Sequence, residues 1–149
     1  MRYGLNRAGF PPDEFEETCA ILSATGYDEI EPNVERDGPL TTEEGRQKVA
    51  EAVETRDLRV PAISTTSHWE YPLSNADDKL REISRDMIDT AEALDAEGVL
   101  IVPAVIEDGT AYDADYERAV RSVRELVGYA ADRGVGVAIE KNERNEVNE

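Results

Sequence analysis

Two predicted strands of this chain end in, or just before, a glutamate. The run from Gly134 to Ile139 leads into Glu140, and Ile30 leads into Glu31. A short apolar run that is bounded by glycine and too brief for a helix is typical of a buried parallel strand. In a β/α barrel, metal ligands and catalytic bases lie at the carboxyl ends of such strands. Glu140 is therefore a candidate for this chemistry, and Glu31 ends an earlier strand at the same edge.

Other reactive side chains are scarce. Cys19 is the only cysteine, which excludes an intramolecular disulfide and a cysteine metal cluster. Because Cys19 lies in a predicted helix, we interpret it as buried packing and not as a nucleophile. No segment resembles a phosphate-binding glycine loop, a nucleophile elbow or a zinc signature.

The elements that position these residues alternate between strands and helices. Predicted strands cover residues 3–5, 29–31, 58–63, 99–102 and 135–139. The first predicted helix is capped by Asp13 and ends near Thr25, and the second is capped by Thr41 or Thr42 and ends near Thr55. Gly26, Pro32 and Pro103 are predicted to end the elements that precede them.

The third and fourth helices are predicted from apolar stripes at steps of three and four residues. Gly98 is predicted to end the third helix, and Gly134 the fourth. The two stripes are Leu80, Ile83, Met87, Ala91 and Leu94, and Tyr116, Val120, Val123, Val127 and Ala130.

Successive strands therefore recur at roughly the length of one strand–helix unit. Such units produce parallel strands joined by right-handed crossovers. Two architectures fit five of them. One is a complete open sheet of flavodoxin-like shape, which would make the chain a binding protein. The other is the first five units of a (β/α)8 barrel.

Composition restricts the partners of the chain. Its 149 residues suffice for one domain with a real core. The formal net charge is −18, only three bases are lysines, and the acids are spread along the chain. A diffuse acidic surface is typical of a protein adapted to high salt, and we interpret the chain as halophilic. Nucleic acids and anionic membranes would be repelled. With no signal peptide and no spanning segment, we expect a cytoplasmic protein.

Four segments, in order, resemble the sugar phosphate isomerase/epimerase family of xylose isomerase-like TIM barrels. Glu31-Pro32 is the first, and the loop Ser67-His68-Trp69-Glu70-Tyr71-Pro72-Leu73 is similar to the W-x-Y-P-L loop of that family. The segment 99–103 resembles its fourth strand, and the segment 137–140 its fifth. The family usually continues E-N-V-W-N after that strand, whereas Lys141-Asn142-Glu143-Arg144-Asn145 follows Glu140 here. The resemblance implies the first five units of a barrel over residues 1–140 and a polar tail over 141–149.

The resemblance also implies chemistry. Such enzymes move a proton next to a carbonyl, while a divalent metal (Mn, Mg or Co) held by oxygen ligands stabilises the ene-diolate. It assigns Glu140 to metal binding, with proton transfer as a second role. The remaining metal ligands of the family have no counterpart in this chain. Glu31 could contact substrate hydroxyls, or could be an exposed carboxylate.

The loop after the third strand could contribute to a sugar site. His68, the only histidine, could contact a substrate hydroxyl or phosphate, or it could lie on the surface. Trp69 and Tyr71 could line the sugar pocket, or could pack the loop against the barrel rim.

Two functional interpretations follow besides the open-sheet binding protein. The first is a member of the isomerase/epimerase family that acts on a sugar or sugar phosphate. The second is an inactive half-barrel, or a piece completed by a partner. An open half-barrel would leave the first and fifth strands unpaired and would expose an apolar inner face. We therefore expect a homo-oligomer or a complex with a complementary half-barrel.

Overall fold

The computed structural model describes residues 1–6, 15–70, 73, 78–101 and 111–140, and strands and helices alternate along them. Asp13, Val102, Pro103, the side chain of Leu80 and the segment 141–149 lie outside the described part. The main elements are β1 (Gly4–Asn6), α1 (Phe15–Thr25), β2 (Glu29–Glu31), α2 (Glu43–Thr55), β3 (Ala62–Ile63), α3 (Asp78–Ala93), β4 (Gly98–Ile101), α4 (Tyr112–Ala131) and β5 (Gly136–Ile139). Two 3-10 turns, Pro39–Thr41 and Ser67–Trp69, precede α2 and α3.

The strands are parallel and follow chain order. β1 pairs with β2, and β3, β4 and β5 form a second parallel group. Two isolated parallel bridges, Glu29 with Arg59 and Asn33 with Ser64, connect the groups. The strand order is therefore 1-2-3-4-5, as the barrel interpretation predicts, and the order 2-1-3-4-5 of a flavodoxin-like sheet is wrong. Right-handed crossovers that always advance in one direction place every helix on the same face.

The core lies between that face and the helices. Ile30, Ile63, Val99 and Ile101 are buried on the helix side of the strands. They pack against residues from every described helix. Among these are Phe15, Cys19, Leu22, Val49, Val53, Met87, Ile88, Ala91, Leu126 and Ala130. Cys19 is therefore part of the core, in agreement with its interpretation as buried packing.

The opposite, inner face of the sheet is small and polar, contrary to the expectation of an apolar surface. Because side chains alternate along a strand, residues next to the buried ones lie on this face. Leu100 is the only large apolar side chain among the described strand residues that lie there. The others are Gly4, Asn6, Glu29, Glu31, Ala62, Gly98, Gly136 and Ala138.

The local sequence signals predicted most of the helix ends correctly. The side chain of Thr42 accepts a hydrogen bond from the Gly45 backbone at 3.1 Å and so caps α2. Gly26 and Gly134 follow α1 and α4 with φ of +84° and +70°, which favours glycine. The role predicted for Gly98 is wrong. Gly98 is the first residue of β4, where a Cβ would lie 2.7 Å from the backbone oxygen of Gly136.

The third helix buries its predicted stripe at Ile83, Met87 and Ala91. The fourth helix buries Ala130 of its predicted stripe and packs Val123, partly buried, against the core, but leaves other members exposed. Its buried side chains are Asp115, Ser122, Leu126 and Ala130, while Tyr116 and Val127 of the predicted stripe are exposed. Two polar residues therefore lie on the sheet-facing side of α4. Their burial is tolerated because Asp115 pairs with Arg118 and Ser122 donates a hydrogen bond to the Leu73 carbonyl at 3.0 Å.

Candidate functional site

Polar side chains from three successive units meet at the carboxyl ends of β1, β2 and β3. The Asn6 amide nitrogen donates to Glu31 Oε1 at 2.5 Å and lies 3.3 Å from Ser64 Oγ. The Ser64 hydroxyl donates to Asn33 Oδ1 at 2.5 Å, and the Asn33 amide reaches Asn6 Oδ1 at 3.3 Å. We call Asn6, Glu31, Asn33 and Ser64 the strand-end cluster. Because Asn6 reaches Ser64 across β2, the cluster lies on the inner face.

The chemistry of the strand-end cluster suits a polyhydroxylated ligand. Carboxylate oxygens accept hydrogen bonds, whereas amides and hydroxyls both donate and accept them. Glu31 and Asn33 are half-buried and Ser64 is buried, whereas Asn6 is exposed. The cluster is therefore ordered by internal hydrogen bonds and still open to solvent on one side.

A second group of hydrogen bonds joins the loops that follow β2 and β3. The Glu35 carboxylate accepts from the Thr66 hydroxyl at 2.9 and 3.0 Å and from the Ser67 hydroxyl at 3.2 Å. The Thr65 hydroxyl oxygen in turn accepts from the Ser67 backbone at 3.1 Å. Glu35 therefore holds the start of the Ser67–Trp69 turn beside the strand-end cluster.

His68 lies in this turn and is fully buried, so its interpretation as a surface histidine is wrong. Neither ring nitrogen has a hydrogen-bond partner among the described residues. Burial lowers the pKa of His68 to about 4, because the protein interior disfavours the charged imidazolium. The ring is therefore neutral at neutral pH. The side chain of Trp69 and the whole of Tyr71 lie outside the described residues.

Glu140 directly follows β5 and is exposed. Its backbone N–H donates to the Ile101 carbonyl at 2.9 Å, which extends the pairing of β4 and β5 by one residue. Because Ile139 pairs with the buried Ile101 on the helix side, alternation places Glu140 on the inner face. Glu31 and Glu140 thus share the face and the edge that the sequence predicted, three strands apart.

The described residues do not by themselves fit a metal ion. Among them, no group of three or more His, Cys, Asp and Glu side chains is arranged to hold one. Glu140 is the only ligand that the resemblance assigns. A single exposed carboxylate is a weak ligand for a divalent cation, which prefers six or more oxygen ligands.

Sequence reasoning missed Asn6, Asn33, Ser64 and Glu35. Each of them lies at the end of a strand or in the first few residues after it. That position was the available signal, because the carboxyl ends of parallel strands meet at one edge. The predicted first strand ended at Leu5, one residue before Asn6, and therefore did not include the first member of the strand-end cluster.

No helix of the described part is long and apolar enough to cross a membrane. No curated protein matches the sequence. Solved structures do match it. The 3-keto-D-glucoside 4-epimerase YcjR of E. coli is 16% identical with a TM-score of 0.75, and the match covers 93% of this chain and 55% of that one. A D-tagatose 3-epimerase-like protein is 17% identical with a TM-score of 0.76, covering 98% and 55%.

A third solved structure contains a metal. It is a xylose isomerase-like TIM barrel protein from Mycobacterium smegmatis in complex with magnesium, 18% identical with a TM-score of 0.72, and the match covers 95% of this chain and 55% of that one. The chain thus spans about half the length of the solved structures it matches. At these identities the likeness shows the fold. The family model described as xylose isomerase-like TIM barrel matches residues 19–148, and the chain belongs to this family.

Proposed function

We propose that this chain forms the N-terminal side of a site that isomerises or epimerises a sugar. Family membership supports the reaction class, and two of the solved relatives are named as epimerases or epimerase-like. The observation that carries the proposal is the strand-end cluster. Three successive strand–helix units contribute hydrogen-bonding side chains to the edge where β/α barrels bind their substrates.

In this proposal Glu140 and Glu31 have different roles. Glu140 is exposed at the end of β5, where its carboxylate can exchange a proton with a carbon next to a substrate carbonyl. Glu31 accepts sugar hydroxyl hydrogens, and the Asn6 amide beside it donates to hydroxyl oxygens. A carboxylate paired with an amide can thus recognise two neighbouring hydroxyls of a sugar.

The turn Ser67–Trp69 forms a second wall of the proposed pocket. The neutral imidazole of His68 can both donate and accept a hydrogen bond, but its burial requires the turn to open before a sugar hydroxyl or phosphate reaches it. Trp69 and Tyr71 supply apolar rings of the kind that pack against sugars. The Glu35 hydrogen bonds to Thr66 and Ser67 are the contacts that such an opening would break.

A divalent metal belongs to this proposal only with additional ligands. The magnesium complex of a relative supports metal use in the family, and Glu140 would be one carboxylate ligand in this chain. Because the described residues do not complete a site, the other ligands must come from outside them. We therefore assign no step of the reaction to a metal bound by this chain.

A second candidate is a half-barrel without activity of its own that is completed by a complementary half-barrel or by another copy. The exposed apolar side chains of α4 and β5 favour it, since a barrel would cover them with a further unit. We also propose that the acidic, lysine-poor surface is an adaptation to high salt. The net charge of −18 supports this, because salt screens its self-repulsion.

Titration with D-tagatose tests the sugar site. We expect the side-chain amide resonances of Asn6 and Asn33 to shift on addition of the sugar, and Glu31→Gln to reduce the affinity at least fivefold. Glu51→Gln, on the exposed outer side of α2, is the matched control and should leave the affinity unchanged. Shifts confined to residues away from β1–β3, or no shift at millimolar sugar, would refute the proposed site.

A further inference from the structure

Large exposed apolar side chains collect at the two ends of the strand order. Among the described side chains, α2 and α3 have none of them. One group lies on the β1 and α1 side, and the other on the α4 and β5 side. They are Met1, Tyr3, Ile21 and Tyr27, and Tyr112, Tyr116, Val127 and Ile139.

The exposed group on α4 lies on the side of the helix that faces away from α3. Tyr129 donates to Asp89 of α3 at 2.7 Å, and Glu125 lies 3.5 Å from Arg81 of α3, so these residues mark the α3 side. Successive helix residues are rotated by about 100°. Five apolar residues therefore share the opposite side, which we call the α4 flank: Tyr112, Tyr116, Val120, Val123 and Val127.

The α4 flank shares Tyr116, Val120, Val123 and Val127 with the stripe that the sequence pattern predicted to be buried, whereas the last residue of that stripe, Ala130, is indeed buried. The sheet-facing side of α4 includes Asp115 and Ser122 instead, each satisfied by a hydrogen-bonded partner. Tyr112 and Tyr116 stack with ring centroids 6.2 Å apart, although both are exposed. A regular apolar stripe beside a satisfied buried face is typical of a helix with a second packing partner.

We propose that in the 149-residue chain this partner is a second copy, bound head to tail. The α4 flank and the open edge of β5 would contact α1 and the open edge of β1 of the other copy. Neither edge has a further strand partner among the described residues. Because all strands are parallel, β1 of the second copy can continue the sheet in the same direction. Two such head-to-tail contacts form a closed dimer.

Charge complementarity supports the contact. Arg124 is exposed next to the α4 flank, and Glu17 is exposed on α1 on the same side as Ile21. Neither side chain forms an ion pair with a described residue. Arg124 of one copy can pair with Glu17 of the other.

Salt should control this association. Each copy has a formal charge of −18, and the long-range repulsion opposes contact at low ionic strength. The Debye length falls from about 10 Å at 0.1 M to about 3 Å at 1 M salt, whereas burial of the apolar flank persists. Association should therefore strengthen as salt is added. The proposal rests on the fold and on the half-barrel interpretation, and it requires no sugar binding.

Sedimentation velocity across a salt series tests the interface. Above 1 M salt we expect the wild type to have the mass of two copies. Gln47→Asp adds one negative charge on the exposed face of α2, as a control for the charge added by Val127→Asp, and should also form the dimer. Val127→Asp should stay monomeric at the same concentrations. Val127 is 46% exposed, so the variant should fold, and circular dichroism checks this. A wild type that is monomeric at every salt concentration would overturn the proposal. The α4 flank would then be a surface for further strand–helix units and not for a second copy.

Charge reversal provides a second, independent readout. Glu17→Arg should weaken association at least tenfold although it lowers the net negative charge, and Arg124→Glu should weaken it as well. The double variant, with the net charge of the wild type, should recover most of the affinity. Stronger association of Glu17→Arg alone would show that net charge governs the contact and would overturn the pairing. A wild type that is monomeric at every salt concentration and still shows the D-tagatose shifts would refute this interface and leave the sugar site intact.

Discussion

Ser64 donates its hydroxyl hydrogen to Asn33 Oδ1 at 2.5 Å, which links the ends of the second and third strands on the inner face of the sheet. The two residues also form one of the parallel bridges between the two groups of strands. The same serine oxygen lies within 3.3 Å of the Asn6 amide. A single buried hydroxyl therefore connects three strand–helix units at the edge where the proposed sugar site lies.

Replacement of Ser64 tests this connection. Ser64→Ala removes the hydrogen bond to Asn33 and leaves polar atoms of the cluster unpaired, and we expect a loss of about 1–2 kcal/mol in the free energy of unfolding. Urea denaturation measures it. Ser84→Ala is the matched control, because Ser84 is also buried and its hydroxyl has no partner among the described residues. Its removal should be neutral or stabilising. Equal losses in the two variants would refute a special role for Ser64.

His68 makes stability depend on pH in a defined direction. Its pKa is about 6.5 when unfolded and about 4 in the fold, so between these values the unfolded chain binds more protons. Stability should therefore fall as the pH falls from about 6.5 to about 4. The contribution of His68 to this loss is about 3 kcal/mol.

The variant His68→Leu isolates this contribution from the many carboxylates that titrate in the same range. At pH 7 we expect it to be as stable as the wild type or more so, since it removes two unpartnered nitrogens. Towards pH 4 its advantage should grow. Parallel stability curves for the two proteins over this range would contradict the burial of a neutral imidazole.

The contact between β4 and β5 requires glycine at position 98. A Cβ on Gly98 would lie 2.7 Å from the Gly136 backbone oxygen, so Gly98→Ala must push the strands apart. We expect a loss of about 1–3 kcal/mol in the free energy of unfolding. Gly128→Ala is the control, because a Cβ at this exposed helix position meets nothing within 4 Å. It should stabilise the chain by up to about 1 kcal/mol. Similar effects of both substitutions would contradict this strand contact.

The sequence predicted the order of the elements well because the relevant signals are local. Thr42 caps α2 and Gly26 follows α1 as predicted, since caps and left-handed turns depend on a few neighbouring residues. The second strand was predicted with its observed bounds, Glu29–Glu31, whereas the first was shifted by one residue and the third and fifth were predicted too long. β3 covers only Ala62–Ile63, because ladder pairing is limited by the neighbouring strands and not by the apolar run itself.

The remaining features depend on contacts between distant residues. The apolar stripe on α4 is real, but periodicity does not tell which of two neighbours a helix face meets, and Tyr116 and Val127 face away from the sheet. His68 was also misplaced as a surface residue, because burial of a lone polar ring leaves no sequence pattern. Glu31 and Glu140 were found because each lies at the end of a predicted strand, which is visible in the sequence.

One measurement in deuterated buffer tests the central claim that this chain holds only one side of a sugar isomerase or epimerase site. The 149-residue chain is incubated with D-tagatose and a divalent metal salt, and deuterium next to the carbonyl is followed by NMR. We expect the sugar resonances to broaden through binding and the deuterium incorporation not to exceed that of Glu140→Gln. Incorporation that is clearly faster than in Glu140→Gln would contradict this claim, because the 149-residue chain would then suffice for catalysis.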